Sequence, residues 1–385
     1  MLPVDFSCCL RAVRVYQARV LQKTRLMLGI IRVLLAILLA LCLGVRIIAS
    51  GPDLSTLRAR FDRITAASKE HVGVAVIHVE SGAQMGINAD KAFPMASVYK
   101  LPIALELLTQ VSQGKLSLDR QVWIGPGDVR ACCTISRRHP DGGVFITAGE
   151  LLELMIVHSD NTAADAALKL VGGPVVVQQR LRALGFDGIN VNRYEGDINF
   201  EMTGVSNPPS REEWTLDLQR RLIAEVPRQA LRAARVQYVA DPRDSSTPNE
   251  MARFLGRLQL GNLLPPVPTR LLLDLMTHAT TGPARLKGKL PKDTVVAHKT
   301  GTTDVVINDV GIITLPDDAA IKGHLAIAVF VTNGRVSAMQ QTIAQLSGAA
   351  FEFFTGKPLP KPAAPRRAPK RPWPLSTPRI AASAK

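Results

Sequence analysis

Cysteine, metal-ligand clusters, long apolar runs and net charge in its body are what this 385-residue chain has little of. Three of its five cysteines (Cys8, Cys9, Cys42) fall in the first fifty residues, leaving only the adjacent Cys132 and Cys133 beyond them. A scaffold stapled by disulfides is excluded, and a chain of this length can bury enough apolar surface without one. Neighbouring cysteines rarely reach disulfide geometry, so Cys132 and Cys133 are expected to be unpaired, small buried side chains. No His/Cys cluster has zinc spacing, so no metal site is expected, and no cofactor either. The longest apolar run, Val33 to Val45, falls short of the ~20 residues of a spanning helix unless Leu26–Ile31 extend it around Arg32. Acid is scarce at both ends: residues 1–50 hold seven Lys/Arg against Asp5 alone, and residues 357–385 hold eight and no acid. The ends therefore carry +14 of the formal +15. The near-neutral body has no basic excess to steer it to phosphate, so nucleic acid is not an expected partner.

What the ends do contain is informative. A basic flank from Arg11 to Arg32, followed by the short apolar core, has the pattern of a secretory signal, with a cleavage site after Ser50. The alternative is an uncleaved anchor over residues 26–45 that attaches the protein to a membrane; Met27 is an alternative start. Leu41 stands before Cys42 where a lipoprotein signal needs a small residue. The expected location is outside the cytoplasm, periplasmic or secreted. The tail, residues 357–385, is Pro-rich, basic and without periodicity, which predicts disorder.

In the body, Leu57, Phe61 and Ile64 mark a helix over Leu54–Ser68. Val72–Glu80 and Ala83–Ile87 read as strands joined by a turn at Ser81-Gly82. A helix starts near Ser97 and ends near Gly114. Val122–Gly127 and Pro140–Gly143 read as loops. Thr147-Ala148-Gly149-Glu150 is a capping box opening the next helix, and helices follow over Thr162–Leu170 and Pro174–Leu184. Residues 193–244 are long and irregular, with a helical stretch from Arg211 to Val236. Helices follow over Pro248–Leu260 and Pro268–His278, strands over Val295–Thr302, Val310–Leu315 and Leu325–Thr332, and a final helix over Ser337–Phe354. Strands at both ends with a helical middle predict an α/β (α+β) fold: a lobe from residues 51–98 and 279–356, split by an all-α lobe over 99–278.

The stretch Pro94-Met95-Ala96-Ser97-Val98-Tyr99-Lys100 starts a helix that puts Ser97 and Lys100 on one face. A serine hydroxyl is a weak nucleophile until a neighbour takes its proton, and a lysine among apolar residues gives up its own proton more readily than one in water. Ser159-Asp160-Asn161 follows an apolar helix, and Lys299-Thr300-Gly301 follows a strand-like run. S-x-x-K, S-D-N and K-T-G in this order are the signature of class A β-lactamases and penicillin-binding proteins. The stretch Arg193-Tyr194-Glu195-Gly196-Asp197-Ile198-Asn199 is similar to the Arg-x-Glu-x-x-Leu-Asn pattern of the class A Ω-loop, with Ile198 in place of leucine. Over roughly residues 52–356 the chain resembles a class A serine β-lactamase. The resemblance implies an antiparallel sheet flanked by helices with an inserted all-α lobe, a monomer, and a small β-lactam as substrate.

The resemblance also implies roles. Ser97 is the nucleophile and Lys100 its base or the partner that keeps another base ionised. Ser159 relays a proton to the lactam nitrogen. Asn161 binds the substrate's side-chain amide. Lys299, Thr300, Gly301 and Thr302 form the carboxylate subsite, and the N–H groups of Ser97 and Thr302 the oxyanion hole. Glu195 and Asn199 hold the deacylating water. Arg193 pairs with Asp244 across an Ω-loop far longer than the family's, and the extra residues are expected to bulge outward. No arginine follows Lys-Thr-Gly between Asp304 and Gly311, so Arg285 is expected to supply the carboxylate-binding guanidinium. Two further readings remain: a penicillin-binding DD-peptidase, and a sensor that is acylated without turnover.

Overall fold

The computed structural model describes residues 52–359, with Met27, Ile31 and Arg32 besides. The signal or anchor expected over residues 1–50 and the tail from residue 360 thus lie outside the described residues. Among the described residues, no helix is long and apolar enough to cross a membrane.

One five-stranded antiparallel sheet organises residues 52–359, in the order β2-β1-β9-β8-β7. Its strands are β1 (His71–His78), β2 (Gln84–Ile87), β7 (Val296–Thr302), β8 (Val306–Thr314) and β9 (His324–Thr332); β3 (Phe93–Pro94) and β6 (Ser245–Ser246) pair with each other outside it. β9 runs between β1 and β8 and pairs with all eight residues of β1, from His71↔Thr332 to His78↔Leu325. Side chains alternate across a strand. Leu325, Ile327, Val329 and Val331 accordingly enter one apolar cluster, while Ala326, Ala328 and Phe330 enter the other. With both faces covered, β9 reads as a continuous apolar run.

Helix α1 (Ser55–Ala67) and the C-terminal helix, Val336–Thr355, cover one face together. The helical part covers the other. At its centre lies α2 (Lys100–Ser112), whose residues 100–108 are all buried. Around it come the short α3 (Cys133–Arg138), α4 (Ala148–Val157), α5 (Asn161–Leu170) and α6 (Pro174–Ala183). Thr147 and Glu150 cap α4 reciprocally, as read from the sequence. Next come α7 (Glu195–Thr203), α8 (Leu216–Ala224) and α9 (Arg228–Ala240). The set closes with α10 (Pro248–Gln259), packed on the sheet, α11 (Pro266–Thr277) and the C-terminal helix, α12.

Five sequence expectations change, the last of them in the inserted loop. The stretch Val122–Gly127, read as a loop, begins in a strand, β4 (Gln121–Ile124), which pairs with β5 (Val144–Thr147) just after the Pro140–Gly143 loop, with Trp123 against Phe145 at 4.9 Å. The motif around Glu195 is helical: Glu195 and Asp197 sit in the first turn of α7, where the dipole favours acid. The single helical stretch expected to follow it is two helices, because Pro227 stands between them and cannot continue the first. Cys132 and Cys133 are bonded to each other rather than unpaired, and neither is buried. Both residues adopt positive φ, 92° and 82°, a backbone bend that turns the two neighbouring sulfurs toward each other.

The added residues of the 193–244 loop do not bulge outward. They fold back onto α7: Trp214, 2% exposed, packs edge-on to Phe200 at 4.9 Å and against Gly196, where a Cβ would lie 2.4 Å from the indole ring. Apolar side chains of the insertion thus bury themselves against the loop's own helix.

Candidate active site

The site forms where the sheet meets the helical part. Ala96–Tyr99 is a 3₁₀ turn that runs directly into α2, so Ser97 stands at the head of a buried helix. Ala96, in this turn, and Ser159, in the connection between α4 and α5, both hold positive φ (45° and 58°), a conformation that non-glycine residues hold only under surrounding constraint. Strand β7 approaches this turn closely because residue 301 is glycine: a Cβ there would lie 2.3 Å from the carbonyl oxygen of Met95. Asn308 on β8 fastens the contact, its Nδ2 donating to the carbonyls of Pro94 (2.8 Å) and Met95 (3.0 Å).

Lys100 is wholly buried and donates to the Ser159 carbonyl (2.8 Å), to Asn161 Oδ1 (2.7 Å) and, more distantly, to Ser159 Oγ (3.4 Å). Lys299 Nζ donates to Ser159 Oγ (2.8 Å) and to the Thr300 carbonyl (3.0 Å). One serine hydroxyl therefore bridges two buried ammonium groups. Burial lowers the pKa of Lys100, against the pull of Glu195, Asp160 and Asp165. Burial also holds Lys299 well below the ordinary lysine range, and the Lys100 charge adds to the effect.

A cavity of about 280 Å³ opens on this arrangement, lined by Ser97, Asn161, Glu195, Asn199, Asp244 and Thr302 among others. Burial raises the Glu195 pKa, opposed by the Lys100 charge and reinforced by Asp165. The backbone N–H of Glu195 donates to Asp165 Oδ1 at 2.6 Å. Arg193 and Asp244 form the ion pair that the resemblance implies, Nε to Oδ2 at 2.6 Å, and both are buried. They pin the two ends of the loop. Arg285 lies under β7, 3% exposed; its Nη1 donates to the carbonyls of Gly301 (3.0 Å) and Asn308 (2.9 Å) and its Nη2 to Thr302 Oγ1 (2.7 Å). The guanidinium thus meets the cavity through Thr302, not as an open fork. Thr300 Oγ1 shares a 2.6 Å hydrogen bond with Thr281.

This chain matches the family model described as "Beta-lactamase enzyme family" over residues 56–354. It belongs to the β-lactamase enzyme family. The chain is 30% identical to the extended-spectrum β-lactamase PER-1 of Pseudomonas aeruginosa over 307 residues, 77% of this chain and 87% of that one. It is 28% identical to β-lactamase VEB-1 of the same organism over 333 residues, 83% and 98% of the two chains. Among solved structures, a β-lactamase from Chitinophaga pinensis superposes with a TM-score of 0.63 at 31% identity, covering 77% of this chain and 99% of the other. A reconstructed ancestral class A β-lactamase gives 0.63 at 29% identity, covering 77% and 100%.

Within this β-lactamase fold the sequence-derived residues converge on one place. Sequence reading missed four others. Tyr99 donates to Glu195 Oε2 at 3.0 Å, Asp165 holds the Glu195 backbone, Asn308 ties β8 to the turn that carries Ser97, and Tyr238 of α9 lines the cavity. Only Tyr99 carried a signal, a polar side chain inside S-x-x-K; the other three reach the β-lactamase site from distant parts of the chain.

Proposed function

We propose that this chain is an exported, monomeric class A serine β-lactamase that hydrolyses β-lactams through an acyl-enzyme on Ser97. Ser97 Oγ attacks the lactam carbonyl, and its proton passes to Lys100 in its neutral amine form, which burial makes accessible, or, with Lys100 charged, through a water to Glu195. The developing oxyanion lies against the N–H groups of Ser97 and Thr302. Ser159 gives its proton to the departing lactam nitrogen and is reprotonated through the lysines it bridges. Glu195 and Asn199 then hold a water; Glu195 takes one proton from it as the oxygen attacks the ester, and Ser97 recovers its hydrogen as the ring-opened acid leaves. Lys299, Thr300 and Thr302 hold the substrate carboxylate, with Arg285 behind Thr302, and Asn161 holds the side-chain amide. Arg193 and Asp244 keep the loop in register. Export rests on the N-terminal signal pattern.

The observation that carries this reading is that Glu195 opens on the same cavity as Ser97 in spite of the loop's added residues. A sensor that stays acylated has no use for a water-activating carboxylate at that place, and penicillin-binding transpeptidases do not generally carry the motif that supplies it. Glu195→Ala separates the two half-reactions. Mixed with a penicillin, the variant should open about one equivalent of the lactam ring in a burst and then turn over about 10²–10⁴-fold more slowly than wild type, with the acyl adduct visible by mass spectrometry. A wild type that itself remains acylated would sink the hydrolase reading.

A further inference from the structure

A buried hydroxyl outside the four motif roles reaches the carboxylate assigned above as deacylating base. Tyr99 stands between Ser97 and Lys100, its ring wholly buried in the main core. Its Oη lies 3.0 Å from Glu195 Oε2. Burial first, then the charges of Glu195 and Asp165, push the phenol well above its ordinary pKa, so it keeps its proton and is the donor. The other groups facing Glu195 act differently. Lys100 from α2 and Lys299 from β7 favour its charge from a distance, Asp165 from α5 opposes it, and Tyr238 of α9 borders the same cavity. Only Tyr99 makes a side-chain hydrogen bond to the carboxylate among the described residues, and it takes one oxygen.

We propose that Tyr99 is a positioning residue for deacylation: its hydroxyl fixes Oε2, so that Oε1 is presented to the attacking water, and keeps the carboxylate ionised in a buried site. The inference rests on Glu195 acting as the base. Two consequences follow from the geometry. The hydroxyl bonds the charged form of Glu195, so removing it raises the pH at which the base is lost. With Lys100 taking the Ser97 proton, acylation does not use Glu195 and so does not depend on this hydroxyl.

The test is Tyr99→Phe in the full chain, with acylation and deacylation of a penicillin measured separately by rapid mixing from about pH 5 to about pH 9. Acylation should stay within about twofold, deacylation near neutral pH should fall about tenfold, and the acid limb of the deacylation profile should move up by about one pH unit. An unmoved limb, or equal losses in both steps, would overturn the proposal. A single 3-fluorotyrosine at position 99, a more acidic donor, should move the limb the opposite way; a shift in the same direction as phenylalanine counts against it and also guards against a poorly folded Phe variant. Glu195→Ala run in parallel separates the two claims. If that variant traps acyl-enzyme while the Tyr99→Phe limb stays put, Tyr99 alone is misassigned. If it turns over normally, the base assignment falls and this proposal with it.

Discussion

Two lysines share one serine hydroxyl, and their charges set the alkaline side of the reaction. Lys299 is held well below the ordinary lysine range by burial and by Lys100. A cation with a lowered pKa is charged below that pKa and loses its charge as pH rises through it. The ammonium proposed to hold the substrate carboxylate is therefore lost before a free lysine would titrate, and kcat/KM should decline on the alkaline side well under pH ~10.4. A flat profile up to that pH would contradict the arrangement. Arg285 poses a related question, because its Nη2 reaches the cavity only through Thr302. Arg285→Ala should lower kcat/KM for carboxylate-bearing lactams by about tenfold to a hundredfold. If the effect passes through Thr302, a double-mutant cycle with Thr302→Val should show the two losses to be non-additive. The motif residues were legible in the sequence because acyl transfer demands particular side chains at short, fixed spacings. Asn308 was not, since its partners Pro94 and Met95 lie more than two hundred residues away and nothing local marks the contact.

The inserted part of the 193–244 loop works as a buttress. Trp214 fills the space beside Gly196, stacks over the Arg130 guanidinium at 4.8 Å from ring centroid to Cζ, and donates from its indole to the Pro209 carbonyl at 2.8 Å. Arg130 in turn holds Asp165 at 2.7 Å, and Asp165 holds the backbone of Glu195. Trp214→Ala should cost about 3–5 kcal/mol in denaturant unfolding, as emptied aromatic sites do. It should also slow deacylation, because a displacement of about 1 Å in a catalytic group costs about a hundredfold. Acylation should change much less; equal losses would mean that the tryptophan supports the whole site rather than the base. The sequence made the loop's pinned ends legible through Arg193 and Asp244, and its helical content through periodicity. It did not disclose the direction in which the added residues fold, which depends on a glycine at 196 leaving room for a ring eighteen positions on.

At the scale of the molecule, the α/β character and most elements were legible because the strands alternate and the helices repeat. Strand order was not, since periodicity says which face is buried and nothing about which strand lies beside which. That order bears on how the protein is made. All four motifs precede residue 303, yet the strand that separates β1 from β8 is β9, the last one synthesised. A chain ending at residue 315 would carry every group the chemistry needs, but β1 would have no partner on that side. Such a truncation should neither bind a fluorescent penicillin nor unfold cooperatively; a labelled, cooperatively melting fragment would refute this. For the intact chain, closure pairs segments about 250 residues apart in sequence, a long-range contact that forms slowly. The growing polypeptide therefore cannot complete its sheet until residue 332 has been made. Until then the sheet stays open on that side, and a polypeptide whose sheet has not closed can still be threaded through a narrow pore.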